Sequence, residues 1–230
     1  NGPGTLLFTG TATFGILTPT GTRPTVVIGN GISTNTVTVG ANTLVNDMTI
    51  NTGATLSFLT RTIAIYGSFT NNGIVTGSTG QVNPSTGNFN SIGSFTFTGA
   101  GFLKLGGNFT YSGTFNLGSA QVQFTGASNQ SIQGFTTTGL VSMLKTGGTA
   151  TLTSDVNAGG LTLNGLGGTL DLVSGTHTFN GNWTRTNGTL NCGSSLLRIG
   201  LNGSGTVGTF NAGTGTVEYY RAGAQAVAPV

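Results

Sequence analysis

The chain has 230 residues, of which 5% are charged, and its seven bases and four acids give a formal net charge of +3. Ordinary soluble domains carry about 25% charged residues, so this surface is built from neutral polar groups. The bases (Arg23, Arg61, Lys104, Lys145, Arg185, Arg198, Arg221) are scattered, which argues against a nucleic-acid partner. No run approaches the ~18 consecutive apolar residues of a membrane span, and a 36% hydrophobic content with 14 regularly spaced phenylalanines argues against disorder.

Taken in chain order, residues 1–32, with Pro19 and Pro24, fit no period and are expected to form irregular first coils. From there glycine recurs in phase at Gly53, Gly73, Gly93 and Gly113, a constant step of twenty. Phe69, Phe89 and Phe109 keep the same interval, two of them within Gly-Asn-Phe. The step from Gly113 to Gly148 is longer by fifteen, which predicts a register break within 127–147 as a short coil or a bulging loop. A second series follows, Gly148, Gly168, Gly188 and Gly208, each followed by threonine. The hexapeptides 113–118 (GTFNLG), 188–193 (GTLNCG) and 208–213 (GTFNAG) repeat one pattern, with Gly168-Thr169-Leu170-Asp171 a close variant. Stretches such as Ser94-Phe95-Thr96-Phe97 and Thr176-His177-Thr178-Phe179 alternate apolar and polar residues with the period of a strand, and Gly/Asn/Ser clusters between them read as turns.

A fixed period in this range marks a stacked repeat, and one this short falls below the helical TPR, ankyrin and HEAT units. At about 3.3 Å per extended residue the perimeter is at most ~66 Å, which closes as two or three short strands. The predicted fold is therefore all-β, a parallel β-helix (β-solenoid) with about 20 residues per coil, forming a single domain over 1–230. Its eight repeat glycines are expected at corners where φ > 0. Phe69, Phe89 and Phe109, and likewise Leu170, Leu190 and Phe210, are expected to stack inside. Residues flanking an inward position point outward, so Thr149/Thr151, Thr169/Asp171, Thr189/Asn191 and Thr209/Asn211 are expected to form a flat Thr/Asn ladder.

Catalytic and metal chemistry finds little to work with. The single His177 sits in an alternating stretch without a partner acid or nucleophile, and one histidine and one cysteine far apart in the repeat make no zinc site. Asp155 and Asp171 are separated by less than one period and do not form the facing carboxylate pair of a glycosidase. No catalytic, cofactor-binding or metal-binding residue is assigned, and no enzyme activity is expected. Cys192 occupies the position held by Leu117 and Ala212 and reads as a small apolar side chain.

The segments 161–172, 178–184, 188–191 and 215–220, which include Gly181-Asn182-Trp183 and Gly215-Thr216-Val217-Glu218-Tyr219-Tyr220, resemble the repeats of very large secreted surface proteins of Bacteroidetes-type bacteria. The tail 223–230 (GAQAVAPV) is similar to the motif that opens their next repeat block. The resemblance covers 148–230 well and the first half loosely, and implies export and an adhesin-like or structural surface role. The chain opens without methionine and closes in mid-pattern, and is read as an excerpt or processed product of a larger protein. The expected function is an extracellular structural one, with solenoid ends that stack on further copies or on further repeats of a longer chain. The alternative is a glycan- or ice-binding module using the Thr/Asn ladder, with Tyr219 and Tyr220 as exposed aromatics.

Overall fold

The computed structural model describes residues 4–15 and 22–227. All regular structure among them is strand, paired in parallel between segments about 20 residues apart, so the fold is a β-solenoid of about ten turns. The chain divides into two compact units, Asn1–Ala120 and Gln121–Val230.

In the first unit a complete coil has three strands, hence three faces: Thr62–Ile65, Phe69–Asn71 and Ile74–Gly77. The next coil repeats them as Gln81–Pro84, Phe89–Ser91 and Ser94–Phe97. Register is held residue on residue, with Gln81 beside Thr62, Phe89 beside Phe69 and Ser94 beside Ile74. Period-2 alternation turns Ile63, Ile65, Phe69, Val75, Val82, Phe89, Phe95 and Phe97 inward, and all are fully buried or nearly so. The phenylalanines make a continuous stack: Phe69 to Phe89 is 4.8 Å between centroids, Phe89 to Phe109 5.4 Å, and Phe95 to Phe115 5.3 Å. Buried Asn71 completes its hydrogen bonds inside, donating to Ser91 Oγ and Ser94 O (both 2.9 Å) and accepting from the Gly73 amide.

The corners carry a second, polar stack. Asp47 Oδ1 accepts from the Ser68 amide (2.7 Å), Ser68 Oγ from the Asn88 amide (3.2 Å) and Asn88 Oδ1 from the Asn108 amide (3.0 Å). Each side chain thus satisfies an amide of the following coil that the strand ladder leaves unpaired. Residues 1–3 and 16–21 of the span expected to be irregular lie outside the described residues. In its described part, Thr5 pairs with Thr25 at the regular interval, whereas Ala12 pairs with Val37, five positions further on. The extra residues fall at the corner 29–34, where Asn30 Oδ1 holds the turn by accepting from the amides of Ile32 and Ser33.

In the second unit Gly160–Asp171 runs through the first and second faces as one continuous strand, followed on the third by Thr176–Phe179. Trp183–Asn191 and Leu196–Ile199 form the coil after it, and Gly203–Ser204, Thr209–Asn211 and Thr216–Tyr219 the last. The break expected within 127–147 is not an insertion. Val141 pairs with Val122 and Ala150 with Gln130, so the strands keep their register to within a single position. What changes is the corner that glycine occupies. Gly53, Gly73, Gly93 and Gly113 lead into third-face strands, whereas Gly148, Gly168, Gly188 and Gly208 lead into the second face, which lengthens one glycine step. The local irregularity lies on the third face, where Thr136 makes a lone bridge to Asn157 in place of a strand.

The reason for glycine also differs between positions. Gly53 and Gly188 have φ of 81° and 82°, the left-handed region expected of a corner. Gly73, Gly93, Gly113 and Gly168 do not; a Cβ would run into the carbonyl oxygens of Asn51 and Ala54 at Gly73, of Gly73 at Gly93 and of Gly93 at Gly113, and into the Lys145 Cβ at Gly168, each one coil away. Close stacking of successive corners, rather than backbone conformation, excludes a side chain at those positions.

Candidate functional site

Strand parity and register bring the predicted ladder residues together in the second unit. Thr149, Thr169, Thr189 and Thr209 form one outward column, and Thr151, Asp171, Asn191 and Asn211 a second beside it. Between them the inward column Ala150, Leu170, Leu190, Phe210 supports the face; Leu170 and Leu190 are fully buried, and Phe210, on the last coil, is half-buried. Hydrogen bonds tie parts of the ladder down: Asn211 Nδ2 donates to Asn191 Oδ1 at 2.8 Å, and Asp171 Oδ1 accepts from the Val173 amide at 3.1 Å. With strands ~4.8 Å apart, the result is a flat two-column lattice of small neutral groups interrupted by one carboxylate.

The first unit carries a longer column, of which regular spacing reveals only Thr76, Thr96 and Asn116. On its third face Thr13, Thr38, Ser57, Thr76, Thr96 and Asn116 are in register. Beside it a shallow depression of about 160 Å³ is lined by Ser57, Leu59, Thr76, Gly77, Ser78 and Thr98.

The ends of the stack form the second surface feature. Among the described residues Thr5–Phe8 pairs only with Thr25–Ile28, and Ala12–Phe14 only with Asn35–Val39, so each leaves one strand edge open. Inward Leu6 is 41% exposed there, whereas its neighbour in register, Val26, is fully buried. In the last coil Thr209–Asn211 and Thr216–Tyr219 are open in the same way, with Phe210, Val217 and Tyr219 half-buried at inward positions. Trp183 and Arg185 stand over inward Gly203 and Gly205, and both approach the Phe210 ring, at 5.4 and 5.9 Å.

Four potentially reactive side chains turn inward. His177 is fully buried; the Val156 amide donates to its Nδ1 (3.3 Å), so Nε2 carries the proton and donates to the carbonyls of Leu172 and Ser174 at 3.1 and 3.0 Å. Lys145 is fully buried and donates to Ser128 O (2.7 Å), Gln130 Oε1 (3.0 Å) and Thr125 O (3.3 Å). Burial pushes its pKa down from the ordinary 10.5, because the charged form loses its water. Arg185 is 5% exposed, and Cys192 is buried against Ser195 Oγ at 3.3 Å. Lys145, Arg185 and His177 share the parity of Met143, Trp183 and Phe179, the signal that would have placed them inside. Among the described residues no cluster of three His, Cys, Asp or Glu can hold a metal, and the ion pair of Arg198 with Glu218 (2.7 Å) lies on the outside. Comparison with protein-family models, with curated proteins and with solved structures finds no match to the chain.

Proposed function

We propose that the chain is an extracellular structural protein, a β-solenoid subunit that stacks end to end into a surface filament or forms the stalk of an adhesin. The observation that carries this reading is the pair of open coil ends. Exposed strand edges are templates for pairing with another chain, and proteins that stay apart blunt them with charge, proline or a cover. Thr5–Phe8, Ala12–Phe14 and Thr209–Asn211 carry no charged residue, and Glu218 in Thr216–Tyr219 is already paired to Arg198. A head-to-tail contact of this kind generates an open polymer where its rotation does not close a ring. Sedimentation velocity over a concentration series tests it: species should grow with concentration, and Leu6→Lys, which would bury a charge only in the stacked state, should abolish the growth. A single species at every concentration contradicts the filament and leaves the stalk of a longer chain.

A second reading is favoured by the ladders themselves. Two regular hydroxyl-bearing faces, one in each unit, offer a repeating array to a crystalline glycan or to ice. A glycan array and an ice-recrystallisation assay decide it; silence in both removes it.

A further inference from the structure

The described segments at the two ends of the stack occupy different faces. In the last coils of the second unit, the residue just before the following coil's first-face position accepts a backbone bond: Leu161 N–H donates to Asn182 O at 3.0 Å, and Trp183 N–H to Asn202 O at 2.9 Å. Gly203 N–H donates to Ala226 O at 2.8 Å, so Ala226 takes the next place in this series. The side chains agree: Asn182 Oδ1 accepts from the Asn202 amide at 3.1 Å, and Asn202 Oδ1 from the Ala226 amide at 2.9 Å. Gln225 Nε2 anchors the turn by donating to Leu201 O at 2.7 Å. The tail therefore opens a further coil on its first face, with Val227 where Trp183 and Gly203 stand in theirs, and no described residue pairs with the second- and third-face edges of the last coil.

The first coil shows the reverse. Its described strands, Thr5–Phe8 and Ala12–Phe14, belong to the second and third faces. Gly4-Thr5-Leu6 moreover repeats Gly168-Thr169-Leu170 and Gly188-Thr189-Leu190 of the second-face column that ends at Gly208-Thr209-Phe210.

We infer that two copies of this chain join through a composite coil, its first-face strand opened by Ala226 and Val227 of one copy and its second and third faces supplied by Thr5–Phe8 and Ala12–Phe14 of the next. In this register Thr5 lies beside Thr209, Leu6 covers Phe210 and Leu7 lies beside Asn211. Ala12 and Phe14 cover Val217 and Tyr219, and Thr13 lies beside Glu218, so no like charges meet. The half-exposed core positions at both ends become interior together. The inference rests on the end-to-end reading and adds its register and its donor segments.

Neighbouring residues on paired strands have Cα atoms ~5 Å apart, within the range of a disulfide. Thr5 and Thr209 are both exposed, so cysteines there should not disturb the fold. The test is oxidation of the full chain carrying Thr5→Cys and Thr209→Cys together with Cys192→Ala. A ladder of covalent multimers that reductant collapses, and that is lost in either single variant, is the expected result. The same pair with Cys192 retained should give the same ladder, because that thiol is buried, and this guards against a folding defect of the alanine variant. An equal ladder from Thr5→Cys with Asn211→Cys would mean a slip of two positions and overturn the register. Multimers in sedimentation without any cross-link overturn the composite coil while leaving end-to-end stacking intact. A monomer at every concentration overturns both, and points to a following segment of a longer chain as the occupant of the open end.

Discussion

The two units solve the same coil with different interiors. The first fills its lumen with rings: Phe89 touches Phe69, Phe95, Phe109 and Phe115, at centroid distances of 4.8, 5.2, 5.4 and 6.0 Å. The second has fewer rings and admits Lys145, His177 and Arg185 to inward positions, the first two bonded to backbone carbonyls of the coil walls. Coil length and strand register are therefore independent of what fills the lumen. The backbone ladder sets the coil geometry, and the interior only has to be dense or hydrogen-bonded.

The contrast can be broken at its strongest point first. Phe89→Ala removes the centre of the ring stack and should cost about 3–5 kcal/mol, read as a fall in the urea midpoint. The second unit should be most sensitive at Lys145. Lys145→Met keeps the volume but strands the acceptors at Ser128, Gln130 and Thr125, at about 1–3 kcal/mol, and it should also change the pH profile. The folded lysine releases its proton below the ordinary 10.5 and the unfolded one near it. In that window the unfolded state binds more protons, so wild-type stability rises with pH and the gain is lost as pH falls through the folded pKa. Thermal melts at pH values up to 10.5 should show this slope in the wild type and a flatter one in Lys145→Met.

The corner glycines sharpen the comparison at smaller amplitude. Gly93→Ala meets a backbone carbonyl and should cost about 1–3 kcal/mol, and Gly93→Asn should be no better. Gly53 is limited by φ, so Gly53→Ala should cost about 1–2 kcal/mol, and Gly53→Asn, which tolerates the left-handed region, less. Smallest is a gain. Val173, at φ 57°, stands where Gly193 and Gly213, at 60° and 59°, end the hexapeptide. A β-branched residue is strained there, so Val173→Gly should stabilise by about 1 kcal/mol in the same melts.

Much of this was legible in the residues. The recurrence of Phe69, Phe89 and Phe109 and of the Gly-Thr pairs carries the coil length, and Thr169-Leu170-Asp171 carries the facing of the ladder through strand parity alone. The column from Thr13 to Asn116 was legible only from Thr76 onward, because its earlier spacing is uneven: the step from Thr13 to Thr38 is long, and those from Thr38 to Ser57 and from Ser57 to Thr76 are each one short. Those departures come from the enlarged corner at 29–34 and from single-residue adjustments, with a register shift between Thr76 and Gly77 near Leu59 at φ 48°. The change of glycine corner was hidden because one hexapeptide serves both the third face, at 113–118, and the second, at 188–193. The inward lysine and arginine were missed because a charge in a low-charge chain is first read as surface, although alternation with Met143 and Trp183 points inward.

The most direct measurement of the central claim is cryo-electron microscopy of the purified chain at high concentration, with a power spectrum along the particle axis. Continuous unbranched filaments with a meridional reflection at ~4.8 Å, from coils stacked through the subunit junctions, are expected. Discrete particles of one size at every concentration would contradict it.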